Sequence, residues 1–395
     1  MSMQTTPAIP ERNVGLDVVR VVATTTIVIY HILGFGVSGF NLRHADTVGP
    51  LLDRLCVGVP IFFVLSGFLV SRPLIERFLS HRDLPPLWET YARRLSRVLP
   101  AFWLALVVLT LLDAVNVLNI KTFLRNVLLV HTLFPETVFT GVTQAWTLSI
   151  EVSFYLALPL VFAALHLATK RRSERFRAMT LFSALSLMAV SAYPFLWFWS
   201  ENGDGVFRTA NIWLPAHLDS LASGVLMALF VVASERSERV MRLRRRLSRL
   251  FFPFLIGSFL AFYASSRIGL PLNFSPIPFR VHITGQLLFT LTSILFVFPF
   301  AIRPLQSSMR LRPIVWLSTV SYGVYLWHRM LMSGELADKY MPYEASDGRV
   351  MIRVLVIIPA SVLMGAASFY LVERPINEWV RRWTTRRTAA SGMVP

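Results

Sequence analysis

Arg20 and His31 stand eleven residues apart in one apolar run, 15–36, which Asp17 also opens. Glu151 lies in a second run, 145–168, His217 and Asp219 in a third, 211–233, and His328 in a fourth, 314–333. A charge at the middle of a spanning helix costs about 2.5–3.5 kcal/mol, so residues of this kind have partners or a task. Imidazoles and carboxylates gathered in lipid suit proton transfer.

If the runs are helices, the step from Arg20 to His31 turns about 1100°, three turns plus about 20°. Both side chains then leave the same face, roughly 16 Å apart along the axis. Counted from the inner edge of a core about 30 Å thick, His31 sits at about 24 Å, Glu151 and His328 at about 21 Å and Asp219 at about 18 Å. Arg20 sits at only about 8 Å. The spacing therefore predicts a layer of titratable groups in the outer half of the bilayer, joined along one helix wall to a cation near the inner surface. The plainer alternative is that each residue is a buried polar group satisfied by a neighbouring helix. Ser66, in Leu65-Ser66-Gly67-Phe68, lacks the flanking pattern of a nucleophile elbow and reads as a small residue permitting close helix approach.

The elements that hold these residues follow from composition. Of 395 residues, 54% are hydrophobic and only 15% charged, against roughly 25% charged in soluble domains. Lipid is the solvent such a chain requires. Ten apolar runs near spanning length can be drawn, at 15–36, 55–75, 98–118, 145–168, 178–199, 211–233, 250–266, 280–302, 314–333 and 350–372. The run 123–134 is too short to cross and reads as an interfacial or re-entrant piece. The expectation is an all-α, polytopic helix bundle of about ten transmembrane helices. Of the 39 Lys and Arg residues, 27 fall in segments on the side of the N terminus and nine on the other. That bias predicts both termini in the cytoplasm.

The net charge of +17 does not indicate nucleic acid, because the basic residues form short blocks between apolar runs rather than a face. Blocks such as 170–177 and 236–249 set topology and meet anionic lipid. A single Cys56 excludes an internal disulfide framework, and no metal-ligand spacing appears.

Several stretches, in order, resemble acyltransferase family 3, the bacterial group of integral-membrane O-acyltransferases. Asp17-Val18-Val19-Arg20 followed by Tyr30-His31 matches that family's Arg/Lys, ten residues, His signature. Gly58-Val59-Pro60-Ile61-Phe62-Phe63-Val64-Leu65-Ser66-Gly67-Phe68 is similar to its second-helix run, and Arg93-Arg94-Leu95-Ser96-Arg97 to its Arg-x-x-Arg start of the third. Trp146-Thr147-Leu148-Ser149-Ile150-Glu151, then Ser321-Tyr322-Gly323-Val324-Tyr325-Leu326-Trp327-His328, then Glu373-Arg374-Pro375 complete the set. Val152 after Glu151 and Arg329-Met330 after His328 depart from the usual pattern.

The resemblance implies an acyl-coenzyme A donor, acetyl or another short acyl group, and a hydroxyl acceptor on a glycan, glycolipid or secondary metabolite. Arg93, Arg94 and Arg97 would then meet the donor phosphates, with Arg20 beyond them. His31 would act as general base or carry the acyl group, and Glu151 would orient and charge-stabilise it. Asp17, Asp219 and His328 are further candidates. The expected organisation is a cytoplasmic segment 1–14, a membrane acyltransferase domain 15–375 and a basic cytoplasmic tail 376–395, in a bacterial cell membrane. A proton-coupled secondary transporter is the rival that the same titratable layer would serve, although no internal repeat is visible. A non-catalytic scaffold of an envelope assembly is a second.

Overall fold

The computed structural model describes residues 12–34, 48–112, 115–117, 119–202, 207–270, 278–305, 309–332 and 347–390. Its main helices are α1 (Val14–Gly34), α2 (Gly58–Leu79), α3 (Leu87–Leu111), α4 (Ile120–Val127), α5 (Trp146–Thr169), α6 (Glu174–Asn202) and α7 (Leu218–Arg236). They continue as α8 (Glu238–Ser248), α9 (Phe251–Ser265), α10 (Phe279–Ile302), α11 (Arg312–Trp327) and α12 (Asp347–Ser368). A π turn at Phe369–Glu373 joins α12 to α13 (Arg374–Ala390). No strand occurs among the described residues.

Each of the ten apolar runs overlaps a helix among the described residues. Among the described residues, eight stretches are long and apolar enough to cross a membrane, and nine if α8 and α9, bent by 67° at their junction, count as one. The chain is an all-α, polytopic membrane bundle. Helix α11 has only 16 residues, about 24 Å of rise, because the chain leaves the α-helix at His328 and turns through Met330–Met332. Helix α3 begins well before its apolar run. Pro86 precedes its first residue, and its first turns carry Arg93, Arg94 and Arg97, which hydropathy alone would exclude. The run 123–134 is covered in part by the short α4, which Asn119 caps by accepting from the Thr122 backbone N–H at 2.9 Å.

Helix α2 is apolar around its circumference, which marks a helix enclosed by others. It packs on α1, α5, α7 and α10, and Phe63, Val64, Leu65, Phe68, Ile75 and Phe78 are buried. Lipid-facing residues such as Leu187, Leu260, Leu291 and Leu363 stay exposed on the outside. The closest approach in the core is α2 on α7. A Cβ on Gly67 would stand 2.1 Å from the Leu221 carbonyl oxygen, and one on Gly224 would stand 2.0 Å from that of Val64. Small residues at such a crossing let backbones meet where larger ones would hold them apart. The contact permitting close approach is therefore made by Gly67, not by Ser66, and Ser66 is turned elsewhere.

Candidate active site

The first turns of α3 bring Arg93, Arg94 and Arg97 to the wall of a cavity of about 1300 Å³. Arg20 of α1, Ser66 of α2, Glu151 and Tyr155 of α5, and Tyr322 of α11 also line it. The helix ends around it are those that the charge bias gathers on one side: the start of α1, the end of α2, the start of α3 and the end of α7. Arg93 is committed to Glu89 at 2.7 Å and donates to Thr384 Oγ1 at 3.3 Å. The guanidinium groups of Arg20, Arg94 and Arg97 make no hydrogen bond or ion pair among the described residues. Three guanidinium groups on one cavity wall, none of them in a hydrogen bond or ion pair among the described residues, have the chemistry to suit a multiply charged anion.

At the inner end of the cavity, Ser66 donates its hydroxyl hydrogen to Glu151 Oε1. Sequence reasoning missed this role for Ser66. The signal available was Gly67 beside it, since a glycine that fixes the crossing also fixes where its neighbour points. Along α1 and the two residues before it, the lining residues run from Arg12 to Arg20 and do not reach His31.

His31 is brought instead against His328. His328 Nε2 lies 3.0 Å from His31 Nδ1, with ring centroids 4.9 Å apart. Thr147 Oγ1 and Tyr325 Oη lie 2.7 Å apart, while Gln144 Nε2 donates to the Leu326 carbonyl at 2.8 Å. Residue numbers fall on α5 as they rise on α11, so the two helices run antiparallel. Glu151 then lies about 6 Å to one side of the Thr147–Tyr325 contact and His328 about 4.5 Å to the other. The single layer expected for these groups is thus two layers, roughly 10 Å apart along the bundle axis. Phe62 lies between them in contact terms: it lines the cavity and packs edge-on to Tyr325 at 6.3 Å.

Two further candidates are satisfied within the fold. Asp17 is held by both Arg12 Nε, at 2.7 Å, and Arg12 Nη2, at 2.8 Å, and accepts from Ser318 Oγ at 2.6 Å. It ties α1 to α11. Asp219 accepts from Thr290 Oγ1 at 2.7 Å, from Gln286 Nε2 at 3.0 Å and from the Ser220 N–H at 2.7 Å. It joins α7 to α10 away from the cavity. His217, next to it, contacts the Asn211 carbonyl at 3.0 Å.

The C-terminal segment contributes more than its composition suggested. Glu373, at the end of the π turn, and Asn377 and Arg381 of α13 line the cavity, and Ser96 donates to Asn377 Oδ1 at 3.0 Å. Among the described residues, no group of three or more His, Cys, Asp or Glu is placed to hold a metal ion.

Fold and site together define a polytopic membrane protein with a basic cavity ending at a hydroxyl–carboxylate pair and, beyond it, a pair of imidazoles. A family model described as an acyltransferase domain matches residues 13–372, and the chain belongs to that family. It is similar to the O-acetyltransferase OatA of Staphylococcus aureus, at 24% identity over 92% of this chain and 57% of that protein. YrhL of Bacillus subtilis, provisionally named a peptidoglycan O-acetyltransferase, is 22% identical over 94% of this chain and 56% of its own length. The chain thus spans little more than half the length of these relatives. No solved structure matches it.

Proposed function

We propose that the protein moves a short acyl group, most simply acetyl, from acyl-coenzyme A to a hydroxyl of an envelope glycan or related acceptor. The observation that carries this reading is the cavity in which Arg20, Arg94 and Arg97 face inward without a protein partner among the described residues. Coenzyme A presents a pyrophosphate and a 3′-phosphate to such a wall, and its long, thin pantetheine arm could extend from the arginines toward Ser66 and Glu151, which line the same cavity. Family membership supports acyl transfer, and the relatives named O-acetyltransferases support an oxygen acceptor.

In this mechanism Arg94 and Arg97 bind the phosphates and Arg20 guides the arm inward. His31 removes the acceptor's proton as its oxygen attacks the thioester carbonyl, and the carbon–sulfur bond breaks to release the thiol. Glu151, a layer closer to the arginines and fixed by Ser66, supplies negative charge that offsets the imidazolium formed at His31. The charge bias of the loops supports a cytoplasmic mouth, so the donor engages from inside and the acceptor meets His31 toward the outer face.

Oriented proteoliposomes test this directly. Labelled acetyl-coenzyme A is supplied to one face, a soluble glycan fragment such as chitotetraose to the other, and thiol release and labelled glycan are measured. The expected result is product with the donor on the cytoplasmic face only, lost in His31→Ala. Equal product from donor on either face would defeat the sidedness, and an active His31→Ala would defeat the assignment of the base.

A further inference from the structure

We infer that His328 is a positioning residue: it fixes the tautomer and ring orientation of His31 and forms with it a two-imidazole proton relay. This rests on the reading of His31 as the base and adds to it the group that sets which of its nitrogens does the work.

His328 is fully buried, and its Nδ1 lies 2.6 Å from the Tyr325 carbonyl oxygen. A carbonyl only accepts, so His328 Nδ1 carries a proton and donates it. A neutral imidazole has one N–H, which leaves the lone pair of His328 on Nε2. That Nε2 stands 3.0 Å from His31 Nδ1. His31 Nδ1 is also 3.0 Å from the carbonyl oxygen of Ile27. Each of these two groups is an acceptor toward His31 Nδ1, so that nitrogen bears a hydrogen and shares it between them. The lone pair of His31 is therefore on Nε2, and Nε2 is the basic atom.

The anchor behind this arrangement is Tyr325. Its carbonyl holds His328, while its hydroxyl donates to the Gln144 carbonyl at 2.9 Å. A turn of α11 is thereby fixed to the start of α5, and the imidazole it carries is fixed with it. The third group of a Ser-His-Asp triad fills the same role with a carboxylate. Here a neutral ring fills it, which orients the base without adding charge to the resting site.

The proton count closes. The acceptor hydroxyl gives its proton to His31 Nε2, and the resulting imidazolium carries hydrogens on both nitrogens. His31 Nδ1–H can pass to His328 Nε2, moving the positive charge to the second ring. Protonation of the leaving thiolate from His31 Nε2 and return of the shared proton to His31 Nδ1 restore both rings.

The test compares His328→Phe with His328→Gln in the full-length protein in lipid nanodiscs, reading thiol release from acetyl-coenzyme A with water or chitotetraose as acceptor. Phenylalanine keeps the ring but removes the acceptor, whereas the glutamine carbonyl oxygen can still accept from His31 Nδ1. If the Phe variant does not fold, His328→Met makes the same comparison. The expected outcome is a kcat at least about tenfold lower for the apolar variant, an unchanged KM for acetyl-coenzyme A, and recovery of most of the rate with Gln. A rate within about twofold of wild type for the apolar variant would overturn the inference, as would a Gln variant that binds donor normally but is equally slow. Both of those results leave the acyltransferase reading intact, provided that His31→Ala is inactive in the same assay.

Discussion

Glu89 lies 2.7 Å from Arg93 and takes up its charge, while Arg94, the next residue on α3, faces the cavity with no partner among the described residues. Adjacent arginines of one motif therefore do different work. Arg93 braces α3 against its own first turn and, through Thr384, against α13. On the proposed reading, Arg94 and Arg97 are the two that meet the donor.

Arg94→Ala and Arg97→Ala should each raise the KM for acetyl-coenzyme A about tenfold, the scale of one charge-assisted hydrogen bond, with a smaller change in kcat. Arg93→Ala should change KM less and thermal stability more. Dephospho-coenzyme A thioesters should narrow the gap between wild type and the two cavity variants. Equal KM effects from all three replacements would remove the distinction drawn between them.

Ser66→Ala should lower kcat without weakening donor binding, because it removes a hydrogen bond that holds Glu151 while leaving the arginines in place. Glu151→Gln keeps the shape and removes the charge, and should be the slower of the two. Steady-state kinetics on both variants checks the order. A Ser66→Ala enzyme with wild-type kcat would leave that hydrogen bond a packing detail.

The helix crossing at Gly67 predicts a stability effect separate from chemistry. Gly67→Ala puts a methyl where only 2.1 Å separates it from the Leu221 oxygen, so α2 and α7 must part. Forced overpacking of this kind costs about 1–3 kcal/mol, which should appear as a lowered melting temperature in detergent. Gly257→Ala, whose new methyl would meet Leu295 Cδ1 at 3.4 Å, should be nearly neutral.

An acid-sensitive element lies outside the spans, at His131 in the turn after α4. Its side chain is buried, neither ring nitrogen has a hydrogen-bond partner among the described residues, and burial pushes its pKa down to about 4. An unfolded histidine takes up its proton near pH 6.5. Between those values the unfolded chain holds more protons than the folded one, so stability is full above about pH 6.5 and is lost as pH falls toward 4. At pH 5 the loss from this group is about 2 kcal/mol. His131→Phe should shrink the drop in melting temperature between pH 7 and pH 5, and an undiminished drop would place the acid sensitivity elsewhere.

Much of the architecture could be read from the residues alone, because lipid permits so few solutions: apolar runs of spanning length have to be helices. Arg20 and Glu151 stand out in the sequence as ionisable residues inside apolar runs, which are costly to bury, whereas the α3 arginines draw notice only through the resemblance. What the chain does not display is which helices touch. Periodicity put Arg20 and His31 on one face, yet nothing in it says that α11 delivers His328 to His31 while α2 delivers Ser66 to Glu151. Depth counted along separate helices ignored their ends, and so merged two layers into one. Asp17 and Asp219 looked equally eligible as reactive groups until Arg12, Ser318, Thr290 and Gln286 appeared around them. Those partners lie far off in sequence, at positions where a threonine or glutamine attracts no notice.

The π turn at Phe369–Glu373 carries a consequence for the phase of everything after it. An i→i+5 turn holds one residue more than the α-helical turn it replaces, and one residue of α-helix amounts to about 100° of rotation. That extra step sets the face of α13 on which Asn377 and Arg381 look into the cavity. Were all five residues of 369–373 wound as regular α-helix, both side chains would swing about 100° away and the cavity would lose one of its walls, whereas deleting one of the five would remove the bulge and leave α13 in its present phase.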